Sequence, residues 1–107
     1  MFTLPKRHRQ SRLSQHKGAH MLLKLFSIRD SKGEIYNTPF FNRTAGEAER
    51  NFKNLVNDEK SQISKYPEDY DLYYLGEYDD LNGKIKSLDT PSHIAKAVNL
   101  KDKSSLQ

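Results

Sequence analysis

Residues 71–85 read DLYYLGEYDDLNGKI, and this stretch decides the fold of the chain. Two runs of strand-forming residues flank Asn82 and Gly83. An Asn-Gly pair is typical of a type I′ turn, because both central residues of that turn need a positive φ angle. The stretch therefore predicts a β-hairpin that turns at these two residues. Alternation along its first strand predicts that Leu72, Tyr74 and Tyr78 share one face of the sheet.

A second hairpin is predicted upstream. Residues 21–28 (MLLKLFSI) and 34–41 (EIYNTPFF) are strand-forming runs. The turn between them, at residues 30–33, ends in Gly33, which suits a positive φ angle. Pro39 has no amide proton, and this places the end of the second strand at a sheet edge or a bulge.

The main helix is predicted to follow this hairpin. Thr44 and Glu47 form a capping box, in which each side chain accepts a hydrogen bond from a backbone N–H near the helix start. Apolar residues then recur three and four positions apart, at Ala45, Ala48, Phe52, Leu55 and Val56, and predict one packed face. We expect the helix to end at Asn57. A polar linker over residues 59–70 is predicted to hold one helical turn, at 61–65, that buries Ile63.

A short second helix is predicted at residues 93–99. Thr90 is a typical N-cap, Pro91 suits the first helical turn, and Ile94, Ala97 and Val98 are expected to pack on the core. Together these elements predict an α+β fold in the order β-β-α-β-β-α. Its small antiparallel sheet of two hairpins carries the main helix on one face. The core of such a domain is modest, so we expect a homodimer or a capsid-type partner to add burial.

The chain of 107 residues is long enough for one domain, which we predict at residues 21–100. Residues 1–20 are predicted to be a basic disordered leader, and residues 101–107 a frayed tail. The leader holds five basic residues and no acid. The remaining 13 of the 18 basic residues face 14 acids in residues 21–107, a net charge of −1. The high pI of the sequence is therefore a property of the leader.

Composition also excludes several classes of protein. The chain has no cysteine, so disulfides and thiolate zinc sites are excluded. No apolar run approaches the ~18 residues that a membrane-spanning helix needs, and no signal peptide is present. We expect a cytoplasmic protein without a membrane partner, metal or other cofactor.

No catalytic constellation stands out in the sequence. His93 is the one histidine outside the leader, and no residue near it in sequence forms a base–orienter pair. The glycines are isolated and do not form a phosphate-binding loop. We therefore predict a binding protein and not an enzyme.

Two groups of residues are candidates for binding. Basic and aromatic residues that are expected to contact nucleic acid are Lys24, Arg29, Tyr36, Phe40, Phe41, Arg43, Arg50, Lys53, Lys84 and Lys86, because single-strand binding pairs a basic groove with aromatic platforms. An acidic, tyrosine-rich group in and before the second hairpin is expected to contact a basic protein partner: Tyr66, Tyr70, Tyr73, Tyr78, Glu77, Asp79 and Asp80.

Several motifs resemble one known family. They are MLLKLFSIRDSK at residues 21–32, PFF at 39–41, TAGEAERNF at 44–52, YPEDYDLYYLGEYDD at 66–80 and NGKI at 82–85. With these motifs, residues 21–100 resemble the small nonstructural protein of gokushovirus-type microviruses, which are single-stranded DNA phages of bacteria. Residues 1–20 have no counterpart in the pattern, so Met21 is the start that the resemblance implies.

The resemblance implies a non-enzymatic protein of the infected host cytoplasm that binds DNA, preferably single-stranded. It implies a role in the switch from duplex replication to single-strand synthesis and genome packaging, with viral replication or capsid proteins as further partners. The alternative is a protein-interaction adaptor that contacts the replication initiator or capsid protein through the acidic hairpin and does not bind DNA.

Overall fold

The computed structural model describes residues 22–102. The predicted leader and most of the predicted tail lie outside the described residues. Within residues 22–102, no helix is both long and apolar enough to cross a membrane.

The described residues form a mixed α/β fold around one antiparallel sheet. Its strands are β1 (Leu22–Asp30), β2 (Ile35–Tyr36), β3 (Phe40–Asn42), β4 (Tyr70–Asp79) and β5 (Lys84–Lys96). The strand order is β2-β1-β4-β5, and β3 also pairs with β1. β4 pairs with the whole length of β1, so β2 and β3 share the opposite edge of β1. The predicted antiparallel sheet is therefore confirmed, whereas the predicted order β-β-α-β-β-α is not, because the second strand of the first hairpin is divided into β2 and β3.

Three helices and one 3₁₀ turn complete the fold: α1 (Ala45–Val56), α2 (Gln62–Lys65), the 3₁₀ turn (Pro67–Asp69) and α3 (Ala97–Leu100). The Thr44 cap at the start of α1 is confirmed, whereas Glu47 reaches the residue before the cap, Arg43, and not Thr44 itself. The Thr44 hydroxyl accepts from the Glu47 N–H at 3.0 Å, and the Glu47 carboxylate accepts from the Arg43 N–H at 2.9 Å. Asn57 caps the other end, and α2 buries Ile63 as predicted.

The core lies between α1 and one face of the sheet, which we call the covered face. Phe26, Ile28 and Leu72 of the sheet are buried there against Ala48, Phe52 and Val56 of α1. Leu55 was expected on the packed side of α1 but is 40% exposed. Residues at alternating strand positions point to the opposite face, which we call the open face because no helix of residues 22–102 packs on it.

Both hairpin turns differ from their predictions. Residues 80–83 form a four-residue loop closed by the Asp79–Lys84 pair, and the Gly83 N–H donates to the Asp79 carbonyl at 2.8 Å. Gly83 alone in this loop has a positive φ angle, so the type I′ turn is wrong although the hairpin is confirmed. In the first hairpin, the positive φ angle belongs to Glu34 and not to Gly33.

The second predicted helix begins later than expected. β5 runs to Lys96, and α3 occupies residues 97–100. Thr90 and Pro91 do not cap a helix, because they lie in an irregular stretch of β5 after which Ser92 and His93 pair with Tyr74 and Tyr73. Ile94 and Ala97 contact the core as predicted, whereas Val98 is 46% exposed.

A bulge in β4 decides which residues reach the open face. Phe26 of β1 pairs with Tyr74, but the preceding residue, Leu25, pairs with Gly76, so Leu75 is an extra residue in β4. This shift moves Tyr78 to the open face, and the prediction that it shares a face with Leu72 and Tyr74 is wrong.

The bulge requires glycine at residue 76. A Cβ atom there would lie 2.2 Å from the Lys86 carbonyl oxygen, and the φ angle of Gly76 is 155°.

Candidate nucleic-acid interface

Three aromatic side chains from three strands lie in a row across the open face. Tyr36 of β2, Tyr73 of β4 and His93 of β5 form this aromatic row. The ring centroids of Tyr36 and Tyr73 are 5.4 Å apart, and those of Tyr73 and His93 are 5.3 Å apart. Neighbouring rings meet edge to face, with interplanar angles of 72° and 84°. The row therefore presents ring faces as well as ring edges to a ligand on this face.

Charged groups surround the aromatic row. The Arg29 guanidinium lies 5.6 Å from the centroid of the Tyr36 ring. The Asp71 carboxylate lies 2.6 Å from His93 Nε2 and 3.5 Å from Lys96 Nζ, so it contacts both the imidazole ring and the lysine ammonium group. Lys96 is 59% exposed and Asp71 only 18%, so the cation is the more accessible of the two. This part of the open face offers donors and positive charge beside flat rings.

A second aromatic contact lies toward the β4–β5 loop, at the other end of the open face. The rings of Phe41 and Tyr78, which we call the distal pair, are 5.4 Å apart. Ile85 pairs with Tyr78 across the β4–β5 ladder and is 57% exposed. The open face thus has aromatic groups at both ends of the sheet.

The structure divides the ten predicted nucleic-acid residues among several places. Arg29, Tyr36 and Phe41 lie on the open face. Phe40 packs against Phe26 of the core, with 6.1 Å between ring centroids. The others lie on or near the covered side: Lys24, Lys84 and Lys86 on the sheet, Arg43 before α1, and Arg50 and Lys53 on α1.

The acidic, tyrosine-rich group is divided in the same way. Tyr73 and Tyr78 lie on the open face, whereas Glu77 and Asp79 pair with Lys86 and Lys84 across the ladder. The remaining members lie elsewhere: Tyr66 precedes the 3₁₀ turn, Tyr70 packs against the core, and Asp80 lies in the β4–β5 loop. Burial, followed by the nearby Asp30 carboxylate, raises the pKa of Tyr70.

The two predicted groups are therefore interleaved and not separate. Aromatic members of both groups meet on the open face, whereas Lys84, Lys86, Glu77 and Asp79 occupy facing register positions on the covered side. Sequence reasoning missed His93 and Lys96, because it assigned them to a helix. It missed the contact of His93 with Asp71 for the same reason.

Within residues 22–102, no three histidine, cysteine or acidic side chains are grouped so that they could hold a metal ion.

Fold and site define a small antiparallel-sheet protein whose open face carries aromatic and cationic side chains. The family model described as Phage ORF5 protein matches residues 23–100, which is most of the chain. The chain therefore belongs to this phage protein family. No curated protein matches the chain, and no solved structure does either.

Proposed function

We propose that this phage protein binds single-stranded DNA on its open face and catalyses no reaction. The observation that carries the proposal is the aromatic row with Arg29 beside it. Aromatic side chains stack on bases, and such stacking tolerates any sequence because every base has a π face. Arg29 and Lys96 are placed to contact phosphates next to a stacked base.

Stacking on the aromatic row favours single strands over duplexes. The faces of duplex bases are covered by their neighbours, whereas those of an unpaired strand are accessible. The charge of the chain after the leader points the same way, because residues 21–107 have a net charge of −1 and neutralise few phosphates by themselves. The rings therefore supply the larger share of the binding free energy that comes from the domain.

The resemblance to gokushovirus-type nonstructural proteins supports a biological setting for this binding. We place the protein in the host bacterial cytoplasm, where it acts in the switch from duplex replication to single-strand synthesis and genome packaging. Viral replication or capsid proteins are its expected protein partners.

Fluorescence anisotropy with a labelled thymidine oligonucleotide of about 12 nucleotides tests the proposal. Tyr73→Ala removes the central ring of the row, and we expect it to weaken binding about tenfold. Tyr66→Ala is the matched control, because Tyr66 is 51% exposed but lies outside the sheet. Equal affinity of the Tyr73→Ala and Tyr66→Ala variants would contradict the proposal, as would the absence of binding by the full chain at low salt.

The leader gives a separate, electrostatic prediction. Its five cations, Lys6, Arg7, Arg9, Arg12 and Lys17, are expected to contribute a slope of roughly −3.5 to log K against log[salt], at about −0.7 per phosphate contact. Replacing all five by glutamine in the full chain should remove most of that slope. An unchanged slope would place the phosphate contacts on residues 22–102 instead.

A further inference from the structure

We propose that the outer edge of β5, at residues 84–88, binds an extended protein segment in which acidic and apolar side chains alternate. We call these residues the edge strip.

The edge strip has the backbone that such a segment needs. β5 is the last strand in the sheet order and pairs with β4 alone among the described strands. All five residues of the strip are exposed. An edge strand presents unpaired N–H and C=O groups, and an added strand can hydrogen-bond to them. The opposite edge is less suitable, because β2 has two residues, β3 has three, and Pro39 lies between them.

The side chains of the edge strip define the chemistry of the partner. Lys84 and Lys86 pair with Asp79 and Glu77 of β4, and Glu77 also pairs with Lys24 of β1. Glu77 thus lies on an inner strand between two lysines, whereas Asp79 faces Lys84 on one side and Leu22 on the other. A strand added outside β5 would face lysines at alternate positions, and acidic side chains would continue this pattern of opposite charges.

The position between the two lysines is Ile85, and it favours an apolar partner residue beside it. Ile85 is 57% exposed and continues the distal pair of the open face across β5. Because strand side chains alternate between faces, a partner with acids on one face would place apolar side chains beside Ile85.

A cavity on the covered side of this hairpin gives room for the acidic side chains. Its volume is about 440 Å³, and its lining includes Lys84 and Lys86 of β5 together with Glu77 and Asp79 of β4. Partner carboxylates that project from a strand added outside β5 would reach this space from the β5 side, next to Lys84 and Lys86, with Glu77 and Asp79 one strand further in.

The same lysines disfavour two other occupants. A second copy of the chain, paired edge to edge, would bring its own lysines opposite Lys84 and Lys86, and like charges in facing positions are destabilising. A basic partner, which the acidic sequence of β4 first suggested, would meet the same repulsion.

Titration of the isotope-labelled full chain with a short peptide, followed by NMR, tests the proposal. The probe is a peptide of about seven residues that alternates glutamate and valine, and the control peptide has lysine in place of glutamate. We expect the backbone amide signals of residues 84–88 to shift with the glutamate peptide and not with the lysine peptide. Lys84→Glu with Lys86→Glu should reverse this preference and weaken binding of the glutamate peptide about tenfold.

Arg50→Glu with Lys53→Glu is the matched control, because it makes the same change in charge on α1. We expect this variant to keep the preference of the unaltered protein. Equal responses to the two peptides, or signals that shift on the open face instead of the edge strip, would overturn the proposal. Sedimentation that shows pairing of two copies through β5 would also overturn it, as would displacement of the peptide from residues 84–88 by an oligonucleotide bound there.

This proposal is independent of DNA binding at the open face. Loss of DNA binding in Tyr73→Ala leaves the peptide experiment unchanged, and Lys84→Glu with Lys86→Glu leaves the aromatic row intact.

Discussion

The covered face and the open face of the sheet use aromatic side chains in opposite ways. On the covered face, Phe26 and Phe52 are completely buried, with α1 closing over the sheet. On the open face, Phe41 is 45% exposed and Tyr36 39% exposed, and their ring contacts are with Tyr78 and Tyr73. The same strands therefore supply a core on one side and exposed ring surfaces on the other. Rings on the covered face hold the fold, whereas rings on the open face are available to a ligand.

The largest difference between the two faces is expected in stability. Phe52→Ala leaves a cavity under α1 and should lower the free energy of unfolding by about 3–5 kcal/mol. Phe41→Ala removes a ring of the same size from the open face and should cost about 1 kcal/mol or less, because much of that ring is in contact with water. Urea unfolding measures both. Similar costs for the two variants would mean that the open face is part of the core.

The next largest effect on stability is expected at Gly76, beside the bulge of β4. In Gly76→Ala the new Cβ would collide with the Lys86 carbonyl, and the backbone conformation would also be strained, so we expect a loss of about 2–4 kcal/mol. Gly83→Ala is the control, because residue 83 has a positive φ angle of 74° but no atom within 4 Å of a Cβ; it should cost about 1 kcal/mol. The reverse ranking in urea unfolding would show that β4 passes residue 76 without the close approach to β5.

A smaller effect is expected at the start of α1, and it depends on pH. Hydrogen bonds from the Arg43 backbone N–H and then the Asn42 side-chain amide lower the pKa of Glu47 below its ordinary value of 4.5. The folded state thus favours the carboxylate, so its contribution to stability is present above pH 4.5 and is lost as the pH falls through the lowered pKa.

Glu47→Gln tests this pH dependence. The variant should be less stable than the unaltered protein at neutral pH, and the two should converge at acidic pH in thermal unfolding. Glu49→Gln, two positions further along α1, removes the same charge without the capping contact. If the stability of Glu49→Gln also converges with that of the unaltered protein at acidic pH, the pH dependence arises from net charge and not from the contacts of Glu47 at the helix start.

Local signals predicted the covered face well. The Thr44 cap and the spacing of Ala48, Phe52 and Val56 are properties of one short segment, and the structure has them as expected. The C-terminal helix was misplaced because its signal at Thr90 and Pro91 is also local, whereas the pairing of Ser92 and His93 with β4 is not.

Which residues lie on the open face depends on the pairing register of the strands, and local sequence patterns do not predict that register. Arg29, Tyr36 and Phe41 were named for nucleic-acid binding, and Tyr73 and Tyr78 for a protein partner, yet they lie on one surface. For Tyr78 the reason is Leu75, because the bulge at Leu75 changes the face on which Tyr78 lies. An isolated glycine in a strand run, Gly76, was the one signal that indicated a bulge at this point.

The aromatic ring signals of the full chain, recorded by NMR during titration with a thymidine oligonucleotide, test the central claim most directly. We predict that signals of Tyr36, Tyr73 and His93 shift together, while those of buried Phe52 and of Tyr66 stay in place. Shifts confined to the outer surface of α1, at Arg50 and Lys53, with the three rings unchanged, would contradict the account.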